Sequence, residues 1–347
     1  MSNVRPLRCC FMFTHNHQGG AVMKKKSIGS TIWLLTAFFL FCIGIHPVFA
    51  KTIELKFAQP FSPKHTMQTD VFEPWAEKIQ QMSNGQVKVT FFPGGALGKT
   101  PDHYDLAEKG IADIIYTLHD YTPGRFPLTT LFELPFMVPT ATTTSVAMWK
   151  VFEQFPEFRE EYKRVKTLAL FCHPGGHFNT VKKPIYSIDD IKGMKFRTAS
   201  PHVTKALKIF GAVPVNMPVT EAYTALERGV VDGTVLPWEG NFIFKLAEIL
   251  KYGTETDFYT MTMMVVMNQK KWDSLPDNIK KIIDETTGMV LSKEAGRVYD
   301  VTNEPMKNLC LKKGMEAIQL DPAEKQKLEE LTIPLRNEWI EEMNAKG

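Results

Sequence analysis

The segment that decides the fold is residues 188–241, IDDIKGMKFRTASPHVTKALKIFGAVPVNMPVTEAYTALERGVVDGTVLPWEGN. Apolar and basic residues alternate over 194–197, as they do in a short half-buried strand. Ser200 and Pro201 then predict a helix start, because a hydroxyl caps the first turn and proline suits its first position. Gly211 predicts the end of this helix.

The strand and helix are followed by a second strand at 212–217, a second helix, and a third strand at 230–236. This is a βαβαβ unit. Right-handed crossovers bring the carboxyl ends of its parallel strands to one edge of the sheet. Arg197, Asn216 and the region of Trp238 should therefore lie near one another.

Arg197 stands near the carboxyl end of a predicted strand and just before a helix N-terminus. Ligands bind at that edge of an open α/β sheet. Helix N–H groups favour an anion, and a guanidinium can donate two hydrogen bonds to one carboxylate. The residues predict an anion site, with carboxylate as the anion. The alternative is a surface arginine at an exposed strand end.

The first half of the mature chain repeats the βαβαβ pattern. Its predicted strands are residues 52–58, 87–92 and 112–118. Gln59 follows the first strand, and His119 and Tyr121 follow the third. The same edge rule places these three side chains in a cleft between the two halves. His65 is a weaker candidate, because its position suits a cap of the first helix.

Residues 1–50 carry five Lys or Arg and no Asp or Glu. A basic run at 24–26 and an apolar run at 28–45 predict a signal peptide that starts at Met23 and is cleaved after Ala50. The alternative, a permanent membrane anchor, is disfavoured because the apolar run is near the lower limit for a span. We therefore expect an exported, periplasmic protein.

Removal of the predicted leader changes the net charge and the number of cysteines of the mature chain. The whole chain has 41 Lys and Arg against 38 Asp and Glu, so the mature part has a slight acidic excess. The mature chain therefore lacks the excess of Lys and Arg that is typical of nucleic-acid-binding proteins. Two cysteines remain, and we expect Cys172 and Cys310 to be buried thiols. A disulfide between them is the alternative.

The segments G-M-K-F-R, G-A-V-P-V-N-M-P and E-A-Y-T-A-L-E-R-G-V-V-D-G resemble the solute-binding proteins of TRAP (tripartite ATP-independent periplasmic) transporters, of the dicarboxylate and sialic-acid type. The resemblance covers the chain from about Thr52. It implies a two-lobed α/β periplasmic binding protein fold, with hinge strands and a long helix spanning both lobes. It also implies that Arg197 pairs with a substrate carboxylate, and that membrane permease subunits receive the solute.

The predicted lobe I contains residues 51–174 and about 263–300. The predicted lobe II contains 175–262 and about 301–347, with the C-terminal helices. From Asp277 onward a long helix is expected, because no strong breaker precedes Pro305. The resemblance implies a monomer, with a dimer through the C-terminal segment as the alternative.

Three positions depart from the family pattern. His177 stands where sialic-acid-type members carry a second arginine, so an imidazole replaces a fixed cation. Its alternative role is a loop histidine satisfied by backbone, and the residues do not decide between the two. Leu236 replaces an asparagine of several members, and Val219 stands where an aromatic can lie over the ligand. These departures predict one carboxylate clamp and an apolar remainder, which suits a hydroxy, keto or aromatic monocarboxylate.

Trp238, Glu239 and Asn241 follow the third strand of the Arg197 unit and are further candidates for the site. Trp238 is expected to form an aromatic wall, or else to anchor the core. Glu239 would repel an anion unless it is paired, and could bind a hydroxyl or a bridging cation. A Pro-Gly-Gly segment separates His173 from His177 and breaks the helix that a metal pair needs. No metal and no cofactor are predicted.

Two other functions use the same scaffold. A secreted enzyme would need a catalytic motif, and neither a G-x-S-x-G elbow nor an H-E-x-x-H helix occurs. We therefore predict a protein that is not an enzyme. A ligand sensor for a membrane receptor would use the same site with a different partner, and the residues do not separate it from transport.

Overall fold

A computed structural model describes residues 52–137 and 139–346, and the predicted signal peptide lies outside them. Within the described residues the chain is organised around two β-sheets. None of the helices in this part of the chain is long and apolar enough to cross a membrane.

Eleven strands form the two sheets in the described residues. They are β1 Ile53–Ala58, β2 Val87–Phe92, β3 Ile114–Leu118, β4 Val165–Cys172, β5 His177–Thr180, β6 Lys195–Thr198, β7 Val213–Asn216, β8 Gly233–Leu236, β9 Tyr252–Glu255, β10 Thr262–Asn268 and β11 Glu316–Gln319. The first sheet has the order β2-β1-β3-β10-β4, and the second has the order β11-β9-β5-β8-β6-β7.

Each sheet contains one of the predicted βαβαβ units. In the first sheet β1 pairs in parallel with β2 and β3, and β10 runs antiparallel between β3 and β4. In the second sheet β6 pairs in parallel with β7 and β8, with Arg197 opposite Val215 and Thr234. We call the part built on the first sheet the first lobe, and the part built on the second sheet the second lobe.

Helices cover these sheets. They are α1 Glu73–Met82, α2 His103–Glu108, α3 Ala141–Gln154, α4 Pro156–Glu161, α5 Pro201–Ile209, α6 Ala222–Glu227, α7 Trp238–Ile243, α8 Gln269–Ser274, α9 Asp277–Thr286, α10 Met289–Lys312 and α11 Pro322–Lys346. The predicted start of α5 is confirmed, because the Ser200 hydroxyl accepts a hydrogen bond from the Val203 N–H. Val203 and Leu207 of this helix are fully buried, as their spacing predicts.

The long helix differs from its prediction at both ends. Thr287 is extended and Gly288 has a φ of 67°, so the helical run from Asp277 breaks into α9 and α10. A positive φ is accessible to glycine without strain, and Gly288 is the breaker that sequence reasoning overlooked. Pro305 lies inside α10 rather than ending it.

Helix α10 connects the two lobes. It packs against α3 and β4 of the first lobe and against α7 of the second. The chain passes between the sheets from β4 to β5 and again from β9 to β10, as expected of two hinge strands. It passes a third time from α10 to β11.

The two remaining cysteines are separate thiols. Cys172 and Cys310 are both free and buried, so the prediction of buried thiols is confirmed and the disulfide alternative is wrong. Burial raises the pKa of each thiol to about 12.

Gly296 allows the close approach of α10 to α3. A Cβ at this position would lie 2.7 Å from the Ala141 carbonyl oxygen and 2.7 Å from the Ser145 hydroxyl. Alanine normally stabilises a helix by about 1 kcal/mol relative to glycine. Here we expect Gly296→Ala to lower the free energy of unfolding by about 1–3 kcal/mol, because the added methyl overpacks the interface. Urea denaturation measures this.

The matched control is Val301→Ala, a change at an exposed position of the same helix. It should alter the unfolding free energy by no more than about 0.5 kcal/mol. A Gly296→Ala protein more stable than the parent would show that α3 and α10 are not packed this closely.

Candidate functional site

A small cavity with a mostly buried lining lies between the carboxyl edges of the two sheets. Its volume is about 40 Å³, measured as the space open to the centres of water-sized molecules. Almost all of its lining is buried. The lining comprises Phe61, His65, Tyr116, Leu118, Tyr121, His173, Arg197, Val219, Leu236, Pro237, Glu239, Gly240, Phe244, Met261, Met263 and Tyr299.

Arg197 is the charged group that dominates this cavity. It is only 2% exposed, and its Nε–H donates to the Met217 carbonyl oxygen at 2.9 Å. The Tyr121 hydroxyl also lies beside the guanidinium. Within the described residues the guanidinium forms no salt bridge. Burial lowers the pKa of Arg197, and the hydroxyl of Tyr121 opposes this shift. An arginine nevertheless remains protonated in a protein.

A buried cation without a partner is costly. Desolvation costs several kcal/mol per ion, and a nearby opposite charge normally offsets it. A guanidinium has five N–H donors, and in Arg197 the Nε–H is taken by the Met217 carbonyl oxygen. The remaining donors can bind an anion, and a carboxylate matches their planar geometry.

The two histidines of the cavity lining are neutral. Burial lowers the pKa of His65 to about 3 and that of His173 to about 4. His65 Nδ1 accepts from the Met67 N–H, and His173 Nε2 accepts from the Met261 N–H. Neither ring therefore adds a second positive charge at neutral pH.

Glu239 is the acidic residue of the cavity lining and is 2% exposed. Its Oε1 accepts a hydrogen bond from the Thr66 hydroxyl of the first lobe at 2.9 Å. Burial raises the pKa of Glu239 to about 7, and the bond from Thr66 opposes that shift. Glu239 and Arg197 form no ion pair in the structure.

Aromatic rings form much of the remaining wall. Phe61 meets Phe244 edge-on at 5.4 Å and stacks on His65 at 4.8 Å, measured between ring centroids. The hydroxyls of Tyr116 and Tyr299 lie 3.2 Å apart. Edge and face contacts of this kind suit an aromatic guest.

Three of the nine residues predicted for the site line the cavity. They are Arg197, Glu239 and Tyr121. Tyr121 accepts from the Val219 N–H at 3.4 Å and so connects the two lobes beside Arg197.

Trp238, His177 and Asn241 lie behind the cavity in the second lobe. The Trp238 ring fills the space beside Gly253, where a Cβ would come within 2.3 Å of it, and its Nε1–H donates to Glu255. Trp238 therefore has the alternative role expected for it, which is to anchor the core of the second lobe. His177 is buried in β5, and its Nδ1 accepts from the Thr256 N–H at 3.3 Å, which favours its backbone-satisfied alternative. Asn241 donates to Asn179 in the core.

Asn216, Gln59 and His119 are also outside the lining. Asn216 is exposed, and its side-chain oxygen accepts from Thr204. Gln59 is buried and hydrogen-bonds Gln68. His119 bonds the Tyr162 hydroxyl at 2.7 Å and lines a different cavity. The edge rule gave the correct strand ends but not the direction of each side chain.

Sequence reasoning missed most of the aromatic and sulfur-containing lining. Phe61, Tyr116, Met261 and Met263 carry no motif that separates them from core residues. The Met-rich run before and within β10 was a signal, since methionine adapts to irregular apolar sites. The sequence favours His119 over His65 as a site residue, whereas the structure places His65 in the cavity lining and His119 outside it.

The donor set does not form a metal centre. Among the described residues, no group of three or more His, Cys, Asp or Glu side chains is placed to hold a metal ion.

A sequence model of the bacterial extracellular solute-binding proteins, family 7, matches residues 57–342. The chain belongs to this family. As a family 7 protein it is a TRAP-type solute-binding protein, which confirms the resemblance found in the Arg197 segment. Known relatives in the family are solute-binding proteins rather than enzymes.

Solved structures confirm the two-lobed fold. The chain is similar to a marine metagenome TRAP solute binding protein from an unidentified microbe, described as specific for aromatic acid ligands and solved with metahydroxyphenylacetate. Identity is 36%, with 85% of this chain and 94% of that chain covered and a TM-score of 0.82. Another structure of that protein holds co-crystallised 3-hydroxybenzoate.

Two further relatives are similar over most of their length. A TRAP solute binding protein from Rhodoferax ferrireducens T118 with copurified benzoate is 33% identical, covers 85% of this chain and 93% of its own, and has a TM-score of 0.82. The outer membrane transporter protein TsaT of Comamonas testosteroni is 28% identical over 82% of this chain and 85% of its own.

The raised pKa of Glu239 predicts a pH-dependent stability. Because the folded-state pKa of about 7 exceeds the ordinary value of 4.5, the stabilisation is full below pH 4.5 and is lost as the pH rises through 7. Because glutamine does not titrate, Glu239→Gln removes this loss of stability at high pH. Relative to the parent, the ligand-free Gln variant should gain about 3 kcal/mol of unfolding free energy between pH 4.5 and pH 8. Urea denaturation at both pH values measures the gain.

Other buried titratable groups are common to both proteins and cancel in this difference. The control is Glu248→Gln, a change at an exposed carboxylate, which should give the same difference from the parent at both pH values. A Glu239→Gln difference that does not change with pH would contradict the raised pKa of the buried Glu239 carboxyl group.

Proposed function

We propose that the protein captures an aromatic monocarboxylate in the periplasm and presents it to TRAP membrane permease subunits. The cavity between the lobes is the binding site, and Arg197 binds the carboxylate. The remainder of the ligand is held by apolar and aromatic contacts.

The observation that carries this proposal is the buried guanidinium of Arg197 without an ionic partner in the described chain. A carboxylate would complete its hydrogen bonds and offset its burial. The neutral states of His65 and His173 support one carboxylate rather than two, because a second carboxylate would find no fixed cation in the lining.

The composition of the lining supports an aromatic ligand. Phe61, Phe244, Tyr116 and Tyr299 line the same cavity as Arg197. The similar proteins described as holding benzoate, 3-hydroxybenzoate and metahydroxyphenylacetate are consistent with this class. An aliphatic dicarboxylate would offer the aromatic side chains of the lining no apolar ring to pack against.

The mechanism proposed for capture is closure of the two lobes. The 40 Å³ cavity holds only a few water molecules, so an aromatic acid enters when the lobes separate. Two bonds between lobes support a closed form, Tyr121 with Val219 and Thr66 with Glu239. The lobe boundaries proposed from the sequence put the hinges at the passages from β4 to β5 and from β9 to β10.

Arg197→Met tests the clamp. It replaces the guanidinium by an apolar side chain, so benzoate affinity measured by calorimetry should fall at least about 100-fold. The unfolding free energy of the ligand-free variant should rise by about 1–4 kcal/mol, because an unpaired buried charge is removed.

The control is Arg228→Ala, which removes an exposed arginine of the same lobe and should leave benzoate affinity unchanged. Benzoate binding by Arg197→Met equal to that of the parent would remove Arg197 from the site. Failure of the parent to bind any aromatic monocarboxylate in a thermal-shift series would contradict the proposed ligand class.

A further inference from the structure

Glu239 is a buried acceptor whose role the carboxylate clamp does not explain. Its backbone N–H donates to the Asn303 side chain of α10 at 3.2 Å, which holds the residue against the long helix. Oε1 accepts from Thr66. Within the part of the chain that the structure describes, Oε2 has no hydrogen-bond partner and the carboxyl group has no cationic neighbour.

The hydroxyls nearest to Glu239 do not satisfy it. Tyr116 and Tyr299 line the same cavity as Glu239, and burial raises the pKa values of both, with a smaller contribution from the charge of Glu239. Their hydroxyls instead contact each other and the Met263 sulfur, at 3.2 Å from Tyr116 and 3.4 Å from Tyr299. One oxygen of a buried carboxyl group therefore stays available at an aromatic end of the cavity.

Arg197 and Glu239 give the cavity two different polar groups, a fixed cation and a carboxyl group, which form no ion pair with each other. A ligand carboxylate belongs beside Arg197, because a second carboxylate beside Glu239 would be repelled. An unsubstituted ring would cover Glu239 Oε2 and leave this oxygen without a hydrogen-bond partner, which costs free energy. A ligand hydroxyl can donate the missing hydrogen bond.

We propose that Glu239 accepts a hydrogen bond from a ring hydroxyl of the ligand, so that the site prefers hydroxyaryl carboxylic acids to their unsubstituted analogues. This inference rests on the proposed function, since it requires the carboxylate to bind at Arg197. Glu239 thereby selects among aromatic acids, whereas Arg197 selects for the acid group itself.

The test compares 3-hydroxybenzoate with benzoate by calorimetry on the full mature protein. The parent should bind 3-hydroxybenzoate at least tenfold more tightly, which is a difference of about 1.4 kcal/mol. In Glu239→Leu the affinity ratio should fall to about one, because the acceptor is gone. Glu248→Leu, at an exposed glutamate, should keep the parent ratio.

The outcomes separate the two proposals. A parent that binds both acids equally, or a ratio retained in Glu239→Leu, overturns the role of Glu239 and leaves the Arg197 clamp standing. Binding of neither acid by the parent overturns both. If Glu239→Leu does not unfold cooperatively, Glu239→Gln decides: a ratio at least threefold below the parent supports the proposal, and an unchanged ratio overturns it.

Discussion

Burial of a guanidinium without an ionic partner costs folding free energy, and Arg197 is such a group within the described residues. The surrounding described residues supply no counter-charge for Arg197 and instead hold the side chain in place. Arg197 lies in β6, paired on both sides by parallel strands, so its backbone cannot move the side chain toward solvent without breaking the second sheet. Under the proposed function, an anion that enters the cavity offsets this cost.

The fold turns this single charge into a selective site. The carboxyl edges of two sheets face one another, so Tyr121 and Thr66 from the first lobe meet Val219 and Glu239 from the second. Aromatic rings line the same cavity, and burial lowers the pKa values of His65 and His173 there. Under the proposed function, the charge of Arg197 fixes the orientation of the ligand, and the shape of the cavity selects the rest of it.

Most of the architecture could be predicted from the sequence, and less of the site. Strand periodicity and the cap at Ser200 predicted both βαβαβ units, and the strand-end rule brought Arg197, Tyr121 and Glu239 to the cavity. The rule does not determine the direction of a side chain that follows the end of a strand. Trp238 turns into the space beside Gly253, and His119 turns to Tyr162. Both directions depend on neighbours distant in sequence.

The central claim is that a ligand carboxylate completes the hydrogen bonding of Arg197 between the closed lobes. A crystal structure of the protein with benzoate tests it most directly. The account predicts both carboxylate oxygens at about 3 Å from the guanidinium nitrogens, with the ring among Phe61, Tyr116 and Phe244. A carboxylate bound elsewhere, with the Arg197 guanidinium still unpaired, would contradict it.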